Sequence, residues 1–109
     1  MKSVSKSDFL FEVRDIFGKR VRTTQTYWEK IFLLKHKELK IETSEIVYIL
    51  ENPDEVRRSV QDPFIRLFYK KVKNRYIVVV VKYLNGNGFV VTIYKTSIYK
   101  RKGEKLWPK

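Results

Sequence analysis

Acid–base chemistry at neutral pH has one obvious carrier in this sequence. His36 is the only histidine among 109 residues, and histidine is the side chain whose unperturbed pKa lies near neutrality. Arg66 and Lys70 offer cations, the arginine fork being suited to two phosphate oxygens. Thr92 and Tyr94 offer hydroxyls to a phosphate, and the tyrosine offers a ring to a base. Metal-independent RNA cleavage needs a base for the 2′-hydroxyl, an acid for the leaving 5′-oxygen and a cation for the transition state. His36, Arg66, Thr92 and Tyr94 are the candidate catalytic set, with Glu38 a further carboxylate beside the histidine. Lys70, Lys71, Lys73 and Arg75, with Lys100, Arg101 and Lys102, are the candidate nucleic-acid-binding rim. Each residue also has a plainer reading. His36 can be an ordinary helix-terminal histidine, the cations a solvated surface, and Thr92 and Tyr94 strand formers by propensity.

The charge distribution favours a polyanion partner. From Pro63 to Lys109 there are 12 Lys or Arg and one acid, Glu104, so 12 − 1 = +11. From Met1 to Asp62 there are 12 basic and 11 acidic residues, a net of +1, and the two sums give the whole chain's +12. A source-wide lysine bias would raise both halves. The basic half also holds nine of the 16 aromatic residues, the combination expected of a nucleic-acid-binding surface. No cysteine and a single histidine exclude disulfides, thiolate chemistry and multi-histidine metal sites. No metal or cofactor is expected. A polar N-terminus, and no apolar run near the roughly 20 residues a membrane helix needs, point to a cytoplasmic protein without a membrane partner.

These residues must be positioned by a small number of elements, which one domain over 1–109 accommodates. Phe9–Val13 and Lys19–Thr23 read as strands around Gly18, a short N-terminal hairpin. Thr26 and Glu29 form a capping box for a helix that places Tyr27, Ile31 and Leu34 on one face and fades near His36. A second helix runs from a Thr43 cap to Glu51, stopped by Asn52-Pro53. Phe64–Lys71, Tyr76–Leu84 and Phe89–Thr96 read as antiparallel strands. Asn85-Gly86-Asn87-Gly88 is the strongest turn signal, and the tail is a candidate for one more edge strand. The expected fold is α+β: N-terminal helices packed on a C-terminal antiparallel sheet of about four strands.

Strand parity then sorts side chains by face. A turn symmetric about Asn85–Gly88 places Thr92 and Tyr94 with Val79, Val81 and Tyr83, and with Arg66, Phe68 and Lys70. The opposite set, Ile65, Leu67, Val78, Val80, Leu84, Phe89, Val91 and Ile93, is nearly all apolar and is the side expected to carry the helices.

Trp28 to Leu39, Leu50-Glu-Asn-Pro-Asp54, Leu67-Phe-Tyr-Lys70, Tyr76 to Lys82, Phe89-Val-Val-Thr-Ile-Tyr94 and the tail Lys102 to Trp107 follow one another in a familiar order. In that order and spacing the chain resembles small phage-associated and toxin-like members of the barnase–EndoU–colicin–RelE nuclease fold. His36 is followed by Lys37 where the family pattern has proline, and position 93 is Ile where a small residue is frequent. The resemblance implies a metal-independent endoribonuclease of toxin or phage type, with an acidic antitoxin or immunity protein as a further partner beside RNA. The alternatives are a non-catalytic nucleic-acid-binding module of the same fold, and a protein-interaction domain whose basic face meets an acidic partner.

Overall fold

Asn85 and Gly86 adopt positive φ (55° and 80°), the backbone of a tight two-residue hairpin whose twist matches its strands. This turn joins β5 (Arg75–Leu84) to β6 (Asn87–Thr96), with Leu84 opposite Asn87. The computed structural model describes residues 9–29, 41–98 and 102–108. Its remaining elements are β1 (Phe9–Arg14), β2 (Arg20–Thr24), α1 (Gln25–Glu29), α2 (Thr43–Glu51), β3 (Glu55–Arg58), β4 (Ile65–Val72) and β7 (Lys105–Trp107).

All seven strands join one sheet in the order β1-β2-β6-β5-β4-β3-β7. Neighbours are antiparallel except β2 and β6, which run parallel. This corrects the expected fold of helices on a C-terminal antiparallel sheet of about four strands. The sheet is mixed and seven-stranded, and the described residues contain only two short helices. Two elements account for the difference. The N-terminal hairpin does not stand apart, because β2 pairs along β6 and closes an edge that would otherwise lie open. Glu55-Val-Arg-Arg58 is too short and too charged to signal a strand, yet it bridges β4 and β7 and buries Val56.

The helix starts also shift. The Thr24 hydroxyl, not Thr26, accepts the Tyr27 N–H at 3.1 Å. Glu42, not Thr43, caps α2 and forms a reciprocal box with Glu45. The end of α2 is as read, with the Asn52 N–H donating to the Tyr48 carbonyl at 2.8 Å ahead of Pro53.

The main core lies between one sheet face and α2. Ile46, Ile49 and Leu50 of α2 pack with Val21, Val56, Phe68, Val79, Val81, Val90 and Ile93, all buried. The helix therefore covers the face opposite to the one strand parity selected. A bulge splits the expected cluster. Val81 pairs with Val90, but Val80 pairs with Thr92, leaving Val91 as an extra residue in β6. One extra residue reverses the parity of everything beyond it. Thr92 and Tyr94 thus pass to the face of Val80 and Val78, while Arg66 and Lys70 stay on that of Phe68. The Tyr27 hydroxyl donates to the carbonyl of Val91 at 3.1 Å, so α1 supports the bulge.

A buried polar node ties the N-terminal hairpin to the sheet centre. Asp15, 5% exposed, accepts the Phe17 and Lys19 N–H groups on Oδ1 at 2.9 and 2.8 Å. Its Oδ2 accepts the Tyr83 hydroxyl. The Arg66 guanidinium lies 4.7 Å from the Phe17 ring centre and 4.8 Å from that of Tyr83.

Burial first, then the Asp15 carboxylate, push the Tyr83 phenol far above its usual value. A raised folded-state pKa contributes stability that is fully present below about pH 10 and lost as pH climbs above it. There the unfolded chain releases a proton that the folded chain retains, worth up to about 1.4 kcal/mol per pH unit. Thermal melts of wild type and Tyr83→Phe should therefore converge above pH 10. A melting gap that stays constant from neutral pH into that range would refute this.

Candidate nucleic-acid interface

The face turned away from α2 is built in rows by the strand register. Leu67, Val80 and Thr92 stand side by side across β4, β5 and β6, then Tyr69, Val78 and Tyr94, then Lys71, Tyr76 and Thr96. Val78 and Val80 are buried and form a second apolar cluster with Tyr69, against which Leu67, Tyr76 and Tyr94 pack. Bulky strand residues at alternate positions thus give this face its own floor.

Over that floor lies a cleft of about 420 Å³. Leu67, Tyr69 and Tyr94 line it from the sheet, together with residues 58–61 at and after the end of β3, Lys102 ahead of the neighbouring β7, and Thr96 and Ile98 at the end of β6. The chain leaves β6 at one side of this face and returns at β7, beyond β3. Ile98 and Lys102 mark the two described ends of that connection, and both line the cleft. Val60 and Ile98 hold apolar side chains in solvent at its rim, 71% and 63% exposed.

Tyr69 and Tyr94 both titrate above the usual tyrosine value. For Tyr69 burial is the main cause, helped by the neighbouring Tyr94 and opposed by Arg57. For Tyr94 the cause is burial. Both phenols therefore keep their protons at neutral pH and can donate hydrogen bonds from an apolar wall. Lys102 is exposed and has no ion-pair partner among the described residues. Arg58 pairs with Glu104 at 3.1 Å. Lys71, Lys73 and Arg75 are exposed at the β4–β5 turn, the end of the sheet that also carries Thr96.

The expected site residues divide. Thr92, Tyr94, Lys71 and Lys102 share this side of the sheet, with Tyr94 and Lys102 in the cleft itself. Arg66 is on the helix side, stacked on Phe17 and Tyr83. Lys70 is there too, its ammonium donating to the Asn52 carbonyl at 2.9 Å and to Asp54 Oδ1 at 3.2 Å and lying 5.3 Å from the Tyr48 ring centre. His36, Glu38, Lys100 and Arg101 lie outside the described residues. One cleft tyrosine escaped the reading of the sequence, Tyr69. Tyr69 shares parity with Leu67 and Val78, so it was recoverable once that face was recognised as a binding side.

Among the described residues, no helix is long and apolar enough to cross a membrane. No curated protein and no solved structure gives a significant match to this chain. A family model does match, over residues 34–95. That stretch runs through α2 and β3 to β6, and so takes in Arg58, Tyr69 and Tyr94 but neither the N-terminal hairpin nor the tail. Because it spans more than half of the 109 residues, the chain belongs to the family described as a domain of unknown function, DUF4258.

Proposed function

We propose that the protein binds RNA through the tyrosine-lined cleft on the sheet face opposite α2. The observation that carries this reading is that two protonated tyrosines, an apolar floor and the cations Lys71 and Lys102 share one face in the most basic part of the chain. Rings and aliphatic side chains at the mouth take a base by stacking, phenol hydroxyls meet the sugar or base edge, and the cations follow the phosphates. Binding is favoured over cleavage because Arg66 and Lys70, the expected phosphate clamps, are engaged on the other face.

A fluorescently labelled single-stranded RNA, titrated by anisotropy in EDTA, tests the proposal. Two phosphate contacts give a log–log salt slope of about −1.4, or roughly a 25-fold loss for a tenfold rise in salt. Tyr94→Ala should weaken binding by about five-fold or more, the loss of one ring contact. Affinity insensitive to salt, or a Tyr94→Ala protein that binds like wild type, would count against the cleft. Cyclic-phosphate products in the same mixture would make it the site of a ribonuclease.

A further inference from the structure

The face that carries the tyrosine cleft continues across the sheet toward β2. Lys82, Phe89 and Arg22 stand side by side on β5, β6 and β2. Lys82 follows Val78 and Val80 at alternate positions, so this row shares the tyrosine face and is not beneath α2. The Arg22 guanidinium lies 4.8 Å from the Phe89 ring centre, a cation–π pair, and Phe89 is still 39% exposed. Beside the pair is a cavity of about 290 Å³, lined also by Thr24, Tyr27 and Val91. Pairing of β2 with β6 stops at Arg22 and Phe89, just short of the Val91 bulge. Arg20, Arg22 and Lys82 outnumber Glu12 and Asp62 in this corner.

The bulge connects this corner to the cleft. Phe89 and Tyr94 are an odd number of residues apart and would face opposite ways on a regular strand. The extra residue in β6 brings them to one side, with Phe89 opposite Lys82 and Tyr94 opposite Val78. Val91 packs on the apolar floor between them. The two rings are thus on the order of 15 Å apart along one strand, at roughly 3.3 Å per residue. Resting on the RNA-binding reading, we infer that Arg22 and Phe89 form a second subsite for the same RNA strand, which runs along β6 from the tyrosine cleft. A base stacks on the exposed part of the Phe89 ring, and the guanidinium held over that ring meets a neighbouring phosphate.

The test is affinity for a labelled oligouridylate of about ten nucleotides, within the range such surfaces span, in EDTA and with melting curves. Phe89→Leu keeps apolar bulk but removes the ring, and should weaken binding about five-fold or more. Phe89→Tyr keeps the ring and should bind as wild type does. Arg22→Gln should flatten the salt slope from about −2.1, for three phosphate contacts, to about −1.4 for the two in the cleft. Tyr48 is an exposed ring on α2, and Tyr48→Ala should bind like wild type. If Arg22→Gln fails to fold, the Phe89 pair carries the test. A merely structural Phe89 would tolerate leucine, with affinity following the melting temperature. That pattern, or an equal loss in Tyr48→Ala, overturns the inference. So does wild-type binding by Phe89→Leu while Tyr94→Ala is impaired, a result that leaves the cleft standing. No RNA binding by any of the proteins would remove the binding reading, and the inference with it.

Discussion

Gly103→Ala is expected to destabilise the protein by about 2–4 kcal/mol and to weaken RNA binding with it, by the combined scale of backbone strain and overpacking. Gly103 has φ +81°, and a Cβ there would stand 2.0 Å from the Arg58 carbonyl oxygen. Neither obstacle can relax through a side-chain rotation. The conformation disfavours any L side chain, and the obstructing atom is backbone within β3. Relief requires β7 to move away from β3, which breaks the Arg58 N–H bond to Glu104 and the Arg57 bond to the Gly103 carbonyl. Those contacts hold the tail against the cleft. Urea unfolding and RNA titration on the same preparation check both halves. A variant as stable as wild type would mean that β7 is not fixed as described.

Asp15→Ala should cost about 3 kcal/mol and leave RNA affinity unchanged in the folded fraction. One carboxylate serves three donors, the Phe17 and Lys19 N–H groups and the Tyr83 hydroxyl. Removing it strands all three, and a buried donor left without an acceptor costs about 1–3 kcal/mol, less where water can reach it. The N-terminal turn loses its internal acceptor at the same time, and Tyr83 loses the contact that orients it beneath Arg66. Asp15→Asn keeps one oxygen for the backbone donors and should cost markedly less. The separation from Gly103→Ala is spatial, since the Asp15 node lies on the helix side of the sheet. A fall in RNA affinity for Asp15→Ala matching that of Gly103→Ala would show that the two faces are not independent.

What was legible in the sequence follows from how local each signal is. The strands β4, β5 and β6 announced themselves, because β-branched and aromatic residues alternate between turns rich in Asn and Gly. The N-terminal hairpin and the end of α2 at Asn52-Pro53 were equally local. The Val91 bulge was not, since nothing in Phe89–Thr96 marks where one residue fails to pair, yet that residue decides which face Tyr94 occupies. Nor was β3, whose four residues become a strand only because β4 and β7 lie on either side. Arg66 misled for a physical reason. An arginine suggests a solvent-facing side, but stacked on Phe17 and Tyr83 it fits at the margin of the helix-covered face. The charge asymmetry survived because it belongs to composition, and a face swap leaves it untouched.

The central claim is that RNA meets the tyrosine face and not the helix face, and one titration decides it. Lys102→Gln and Lys70→Gln remove the same charge from opposite sides of one sheet, so any difference between them is positional. Lys102→Gln and Tyr94→Ala should weaken single-stranded RNA binding several-fold, with the Lys102 change also flattening the salt slope by about 0.7. Lys70→Gln should bind as wild type does. Loss of binding in Lys70→Gln, with Tyr94→Ala and Lys102→Gln unaffected, would contradict the account and place the RNA on the α2 side.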